Sequence, residues 1–71
     1  MIPRHMLGDP PALVAWLRAR LHLTQAELAL MLGVHVHAVW RWEHGVNQPR
    51  PKHQRRLVAL YERTRAGTIG A

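Results

Sequence analysis

Residues 33–45, GVHVHAVWRWEHG, contain the pattern from which the architecture of this chain can be predicted. Glycines stand at both ends, and between them Val39 and Trp42 are three residues apart, as on the buried side of a helix. The other side carries a mixture of apolar, aromatic and basic side chains: Val36, His37, Trp40 and Arg41. A solvated helix face usually carries plain charged groups, so this outward face needs an explanation.

The residues before this stretch predict a second helix that packs against it. In the segment TQAE, Thr24 and Glu27 have the spacing of a capping box, in which each side chain bonds the backbone N–H of the other residue. Gly33 then allows the positive φ at which a helix can stop and turn sharply. We therefore predict one helix up to residue 32, a tight turn, and a further helix over about residues 35–44 that the second glycine ends.

Two more amphipathic segments flank this pair. Asp9 is a suitable N-cap with Pro10 in the first turn, and Pro51 is a suitable first-turn residue for the last helix. Their apolar stripes are Leu13, Trp16, Leu17 and Leu21 in the first helix and Leu57, Leu60 and Tyr61 in the last. No strand-like alternation occurs, so we predict an all-α fold, a compact bundle of four short helices, or five.

Length and charge narrow the range of functions. A chain of 71 residues forms one domain, predicted over residues 9–65, with flexible segments at 1–8 and 66–71. Ten Lys and Arg against four Asp and Glu give a net charge of +6, which predicts an anionic partner. No apolar run is long enough to span a membrane and no signal peptide is recognised, so we predict a cytoplasmic protein without a membrane partner.

The residue types and their spacing support neither catalysis nor metal binding. The chain has no Cys, its acidic residues are scattered, and no nucleophile stands near a base in any motif. His35 and His37 suggest zinc, but side chains two residues apart on a helix diverge by about 200° and no other strong ligand completes the set. We therefore predict a protein that is not an enzyme and has no metal site and no cofactor.

Two helices joined by a glycine turn, the second with an unusual outward face, are the layout of a helix-turn-helix. The inward positions of this unit are all apolar: Leu28, Ala29, Leu32, Val34, Val39 and Trp42. On these residues the chain resembles the Cro/CI-type (XRE-like) helix-turn-helix regulators, which include lambdoid phage repressors. The matching segments are LRARLHLTQAELALMLGV, AVWRWEHG and Pro49, within about residues 13–61. The resemblance implies the fold and sequence-specific binding of duplex DNA.

The resemblance also implies roles for individual residues. The exposed positions of the recognition helix, which contacts bases in the major groove, are His35, Val36, His37, Trp40 and Arg41. The positions that contact the DNA backbone are Thr24, Gln25, His44, Asn47 and Arg50. Arg41 can fork onto guanine and Val36 can pack on a thymine methyl group, so we assign specificity to these two and His37. Arg18 and Glu43 correspond to a structural ion pair between the first helix and the recognition helix.

The chain departs from the family pattern at three points. His22 stands where a Gly usually ends the first helix. His35 stands where a Ser or Thr usually caps the recognition helix, so we expect that helix to start weakly or to order on DNA. A complete fifth helix, which many relatives have, does not fit in this length, so the sequence does not assign the dimerisation surface. We still expect a weak homodimer that is strengthened on DNA.

Two functions remain open. The first is a transcriptional repressor of phage, plasmid or antitoxin-operon type that binds a palindromic operator as a dimer. The second is a protein-interaction module, an antitoxin or a phage inhibitor of a host protein, that uses the exposed Val36 and Trp40 face. The role of Trp40 stays open between DNA contact, packing on the following loop and a protein interface. Arg55 and Arg56 either steer DNA or form a solvated face.

Overall fold

A computed structural model describes residues 8–67 of the chain. It confirms the all-α fold, with four helices in this range. The helices are α1 (Pro10–Leu21), α2 (Gln25–Leu32), α3 (Val36–Glu43) and α4 (Pro51–Arg65). Residues 1–7 and 68–71, which make up most of the two segments predicted to be flexible, lie outside the described residues.

Side chains cap the starts of the first three helices. Asp9 accepts a hydrogen bond from a first-turn N–H at 3.4 Å. Thr24 and Glu27 form the predicted capping box, with hydrogen bonds of 3.0 and 2.8 Å. At α3, Nδ1 of His35 accepts from the His37 N–H at 3.1 Å. The start of the recognition helix is therefore capped, contrary to our expectation, because an imidazole nitrogen takes the place of the missing hydroxyl.

Left-handed residues terminate the same three helices, and they set the turns between them. The positive φ angles are 56° at His22, 70° at Gly33 and 71° at Gly45. Beyond Gly33, the Val34 N–H bonds back to the Ala29 carbonyl at 3.0 Å, which closes the end of α2 and starts the turn to α3. Within residues 8–67, His22 is the only residue other than glycine with a positive φ, a conformation that costs an L-residue about 1–2 kcal/mol.

The core lies where the four helices meet. The side chains with no exposure are Leu13, Val14, Leu17, Leu28, Val39 and Leu57. The predicted stripes are correct, except that Trp16, Leu21 and Val34 are only partly covered. Val14 and Thr64 are buried residues that the pattern did not identify. This packing places α3 against both α1 and α2, and it leaves the outer side of α3 in solvent.

Candidate nucleic-acid interface

The outward side of α3 carries most of the side chains assigned to base contact. Val39 and Trp42 are the buried residues of this helix. Four of the five assigned residues are exposed, namely His35, His37, Trp40 and Arg41. Val36 is only partly exposed because it packs against the core. The helix therefore presents hydrogen-bond donors and the indole ring of Trp40 to a ligand, and Val36 adds a small apolar surface.

The Trp40 ring is held by the residue that follows its helix. Its ring stacks on His44 with centroids 4.0 Å apart and an interplanar angle of 17°. The His44 Nδ1 lies 2.9 Å from the Trp40 carbonyl oxygen, and 44% of Trp40 remains exposed. The indole thus packs on the first residue after α3. Because the two rings are already ordered, less conformational entropy is lost when a ligand contacts them.

Beside this face, a groove runs between α3 and the segment that leads into α4. The groove has a volume of about 290 Å³. Its lining combines Arg41, Asn47 and Arg50 with Val34, Ala38, Trp42, Gln48 and His53. Three residues assigned to DNA contact from separate parts of the chain are thus brought together. None of the four acidic residues of the chain lines the groove. The interface therefore complements a polyanion.

His53 is a groove residue that the sequence did not identify. Its ring lies 5.7 Å from the Trp42 ring, and its buried Nδ1 has no hydrogen-bond partner among the described residues. Burial lowers the pKa of His53 below 6.5, and the positive charges of Lys52, Arg56 and Arg50 lower it further. No local pattern signals this position, because its surroundings come from α3 and the loop.

A single carboxylate ties α1 and α2 to the recognition helix. Arg18 Nη1 lies 2.8 Å from both carboxylate oxygens of Glu43. Gln25 Nε2 donates to Glu43 Oε1 at 2.8 Å, and Arg18 Nε donates to the Leu23 carbonyl at 3.1 Å. The side chains of Arg18 and Glu43 are 30% and 17% exposed, so water only partly screens the pair. These bonds fix the orientation of α3 relative to α1 and α2.

Two residues that the sequence assigned to DNA backbone contact already make hydrogen bonds within the protein. The Gln25 amide is engaged by Glu43, and the Thr24 hydroxyl caps α2. A phosphate at this helix start would meet the free backbone N–H groups of the first turn, or the amide after it leaves Glu43. His44 is exposed, but its ring is stacked under Trp40.

Arg56 is a second residue with an unpredicted contact. Its Nη1 donates to the Leu32 carbonyl at 2.9 Å, at the end of α2. A cation at a helix C-terminus also interacts favourably with the helix dipole. One of the two arginines whose role the sequence left open therefore links α4 to α2.

Two further observations concern sites of other kinds. In residues 8–67, no group of three or more His, Asp and Glu side chains is placed to hold a metal ion. Over the same residues, no helix combines the length and apolar character that a membrane crossing requires.

The fold and this interface define a class of protein. A glycine turn joins two short helices, and the second helix presents exposed donors beside a basic groove, as in helix-turn-helix DNA-binding domains. The model of the family HTH_3, described as helix-turn-helix, matches residues 14–66. The chain belongs to the Cro/CI-type (XRE-like) helix-turn-helix family of DNA-binding transcription regulators. Comparison with curated proteins and with solved structures returned no match.

Proposed function

We propose that this protein is a repressor that inserts α3 into the major groove of an inverted-repeat operator. The observation that carries the proposal is the exposed face of α3 beside a groove that contains Arg41 and Arg50 and no carboxylate. Positive charge along one face provides affinity for the DNA backbone, and the α3 side chains provide base contacts. Repression requires only occupancy of the operator, and the proposal includes no catalytic step.

The proposed contacts divide into two groups. Arg41 and His37 contact base edges, with Val36 against a thymine methyl group and with His35 and Trp40 at the edges of the contact. The backbone-contacting group consists of Thr24, Gln25, His44, Asn47 and Arg50. Backbone contacts set the register of the protein on the duplex, and base contacts set the sequence.

We further propose that two copies bind one operator. Two recognition helices that read the same face of a duplex lie about 34 Å apart, one helical turn. The structure extends 29 × 24 × 20 Å, so two copies fit side by side at that spacing. A dimer related by two-fold symmetry binds a palindromic sequence, and we expect its association to be weak without DNA.

The test begins with selection of bound sequences from a random duplex pool. We expect a palindromic motif, whose binding is then measured across salt concentrations for three variants. Arg41→Ala should lose preference at one base pair, by about 1–3 kcal/mol. Arg50→Ala should weaken binding to all DNA sequences alike and reduce the slope of log binding constant against log salt concentration by about one unit. Arg55→Ala, at an exposed position of α4 outside the groove, is the control for loss of charge alone.

A protein-interaction module is the second candidate, because 44% of Trp40 is exposed on the same face. If no motif is enriched and only salt-sensitive background binding remains, the repressor proposal fails and this candidate replaces it. Binding of a protein partner to this face would be lost in Trp40→Ala and would depend little on salt concentration.

A further inference from the structure

A second surface, formed by α2 and α4, carries exposed apolar groups that DNA recognition does not use. Leu30 is 83% exposed and Met31 is 51% exposed. The other exposed large apolar residues among those described are Trp40 on α3 and Val46 in the loop. Isolated exposed apolar residues are common, but Leu30 and Met31 are adjacent and Met31 also lines a groove, which is typical of an interaction surface.

The groove lies between α2 and α4, and we refer to it as the α2–α4 groove. It has a volume of about 250 Å³. Its lining residues are Met31, Leu32, Arg56, Ala59, Leu60 and Arg63. Leu30 extends the apolar surface beyond Met31, about 100° farther around α2. The groove thus has apolar walls, with guanidinium groups as its charged members.

The two arginines have a defined spacing. Arg56 and Arg63 are seven residues apart on α4, which corresponds to about 10 Å along the helix axis. Arg56 is ordered by its 2.9 Å hydrogen bond to the Leu32 carbonyl. No acidic residue lines the groove. The groove therefore complements carboxylates that are about two helical turns apart.

We propose that the α2–α4 groove binds an acidic amphipathic helix of a partner protein. Apolar side chains of that helix pack on Met31 and Leu60, and two carboxylates pair with Arg56 and Arg63. A second copy of this chain fits less well, because a two-fold contact uses the same surface of both copies and so places two arginine-bearing grooves against each other. The net charge of +6 adds to this repulsion.

This surface is separate from the candidate nucleic-acid interface. None of its lining residues belongs to α3 or to the groove beside it. Both surfaces can therefore be occupied at once, and the chain would carry its partner to DNA. The proposal does not depend on the proposed repressor function, since its test contains no DNA.

The experiment is a selection of helical peptides of about 16 residues from a display library on the full chain. Peptides that also bind a Leu30→Ser, Met31→Ser double variant are removed. Both substituted residues are exposed, so the double variant should keep the helical circular dichroism of the wild type. We expect peptides with an apolar stripe and with carboxylates two turns apart. The double variant should bind them at least about tenfold more weakly.

A matched pair of charge reversals tests the ionic part. Arg63→Glu should weaken the selected peptides by about tenfold, whereas Arg55→Glu, the same reversal at an exposed position outside the groove, should leave them unchanged. Equal effects of the two reversals would contradict the proposal, because they would indicate only a response to net charge. Selected peptides without acidic residues, or none that depend on Leu30 and Met31, would also overturn it. So would sedimentation in which the wild type self-associates and the double variant does not, since the occupant would then be a second copy.

Discussion

The contact of α3 with α1 and α2 differs from the packing of α4 on the other helices in whether its polar groups have hydrogen-bond partners. On the α3 side, Glu43 receives hydrogen bonds from Arg18 and Gln25, each at 2.8 Å. On the α4 side, His53 Nδ1 and Thr64 Oγ1 are buried without a partner, and they are the only such side-chain atoms among the described residues. Arg56 of α4 also donates to the Leu32 carbonyl of α2, so the difference lies in the buried groups that lack a partner.

This difference indicates which part of the molecule must be oriented accurately. Hydrogen bonds and ion pairs have preferred directions, so they fix the angle of a helix as well as its proximity. Apolar burial of Leu57, Leu60 and Tyr61 holds α4 in place without fixing its angle so closely. A helix that reads base edges tolerates little error in orientation, whereas a supporting helix tolerates more.

The largest effect is expected from removing the shared carboxylate. Glu43→Ala leaves Arg18 and Gln25 without their partner and should lower the free energy of unfolding by about 3 kcal/mol. Glu62→Ala is the control, because it breaks the exposed pair with Arg65, whose side chains are 58% and 48% exposed. We expect that control to cost about 0.3 kcal/mol, measured by urea denaturation. Similar losses in the two variants would remove the basis of the comparison.

An intermediate effect is expected from one substitution made on each side. Thr64→Val replaces a buried hydroxyl that has no partner and should raise the free energy of unfolding by about 0.5–1 kcal/mol. Thr24→Val removes a hydroxyl that accepts a hydrogen bond from the Glu27 N–H, and it should lower stability by about 1 kcal/mol. Parallel urea titrations should show changes of opposite sign in the free energy of unfolding of the two variants. A loss of stability in Thr64→Val would show that its hydroxyl is satisfied.

The smallest effect is expected to be a dependence of stability on pH. Burial lowers the pKa of His53 below 6.5, so the folded protein holds the neutral ring while the unfolded chain takes up a proton in mild acid. The contribution of His53 is complete above pH 6.5 and is lost as pH falls from there through the lower folded pKa.

His53→Gln isolates this contribution, since the other histidines are present in both proteins and cancel. Stability of the wild type should fall more than that of the variant on acidification below pH 6.5, as measured by thermal melts over a series of buffers. Parallel curves would mean that His53 has the same proton affinity in both states.

Most of the local structure could be predicted because its causes are close together in the chain. The capping box joins residues three positions apart, and the left-handed turn at Gly33 needs only the absence of a side chain. The apolar spacing predicted which side of each helix is buried. At His35 the prediction was wrong because a ring nitrogen can accept the capping bond that a hydroxyl usually accepts.

The family is also contained in the sequence. The residues that carry the resemblance lie within the matched region 14–66, and the expected fold is the fold that forms. Four of the assigned base-contacting positions lie on α3 and the fifth, His35, caps it; four of the five are exposed. Their individual contacts with DNA stay predictions, because they depend on a partner and not on this chain alone.

The helices, most of their ends and their buried faces follow from neighbours within a few residues, so they could be read from the sequence. The family could be read as well, because its pattern extends over most of the chain. Two contacts depend instead on how the helices pack: the Gln25 amide bonds a carboxylate 18 residues away, and Arg56 reaches a carbonyl 24 residues away. The same packing buries the Nδ1 atom of His53, places its ring near Trp42 and forms a basic groove beside α3. The physical reason is that such contacts depend on the angles and distances between packed helices, which spacing along the chain does not specify.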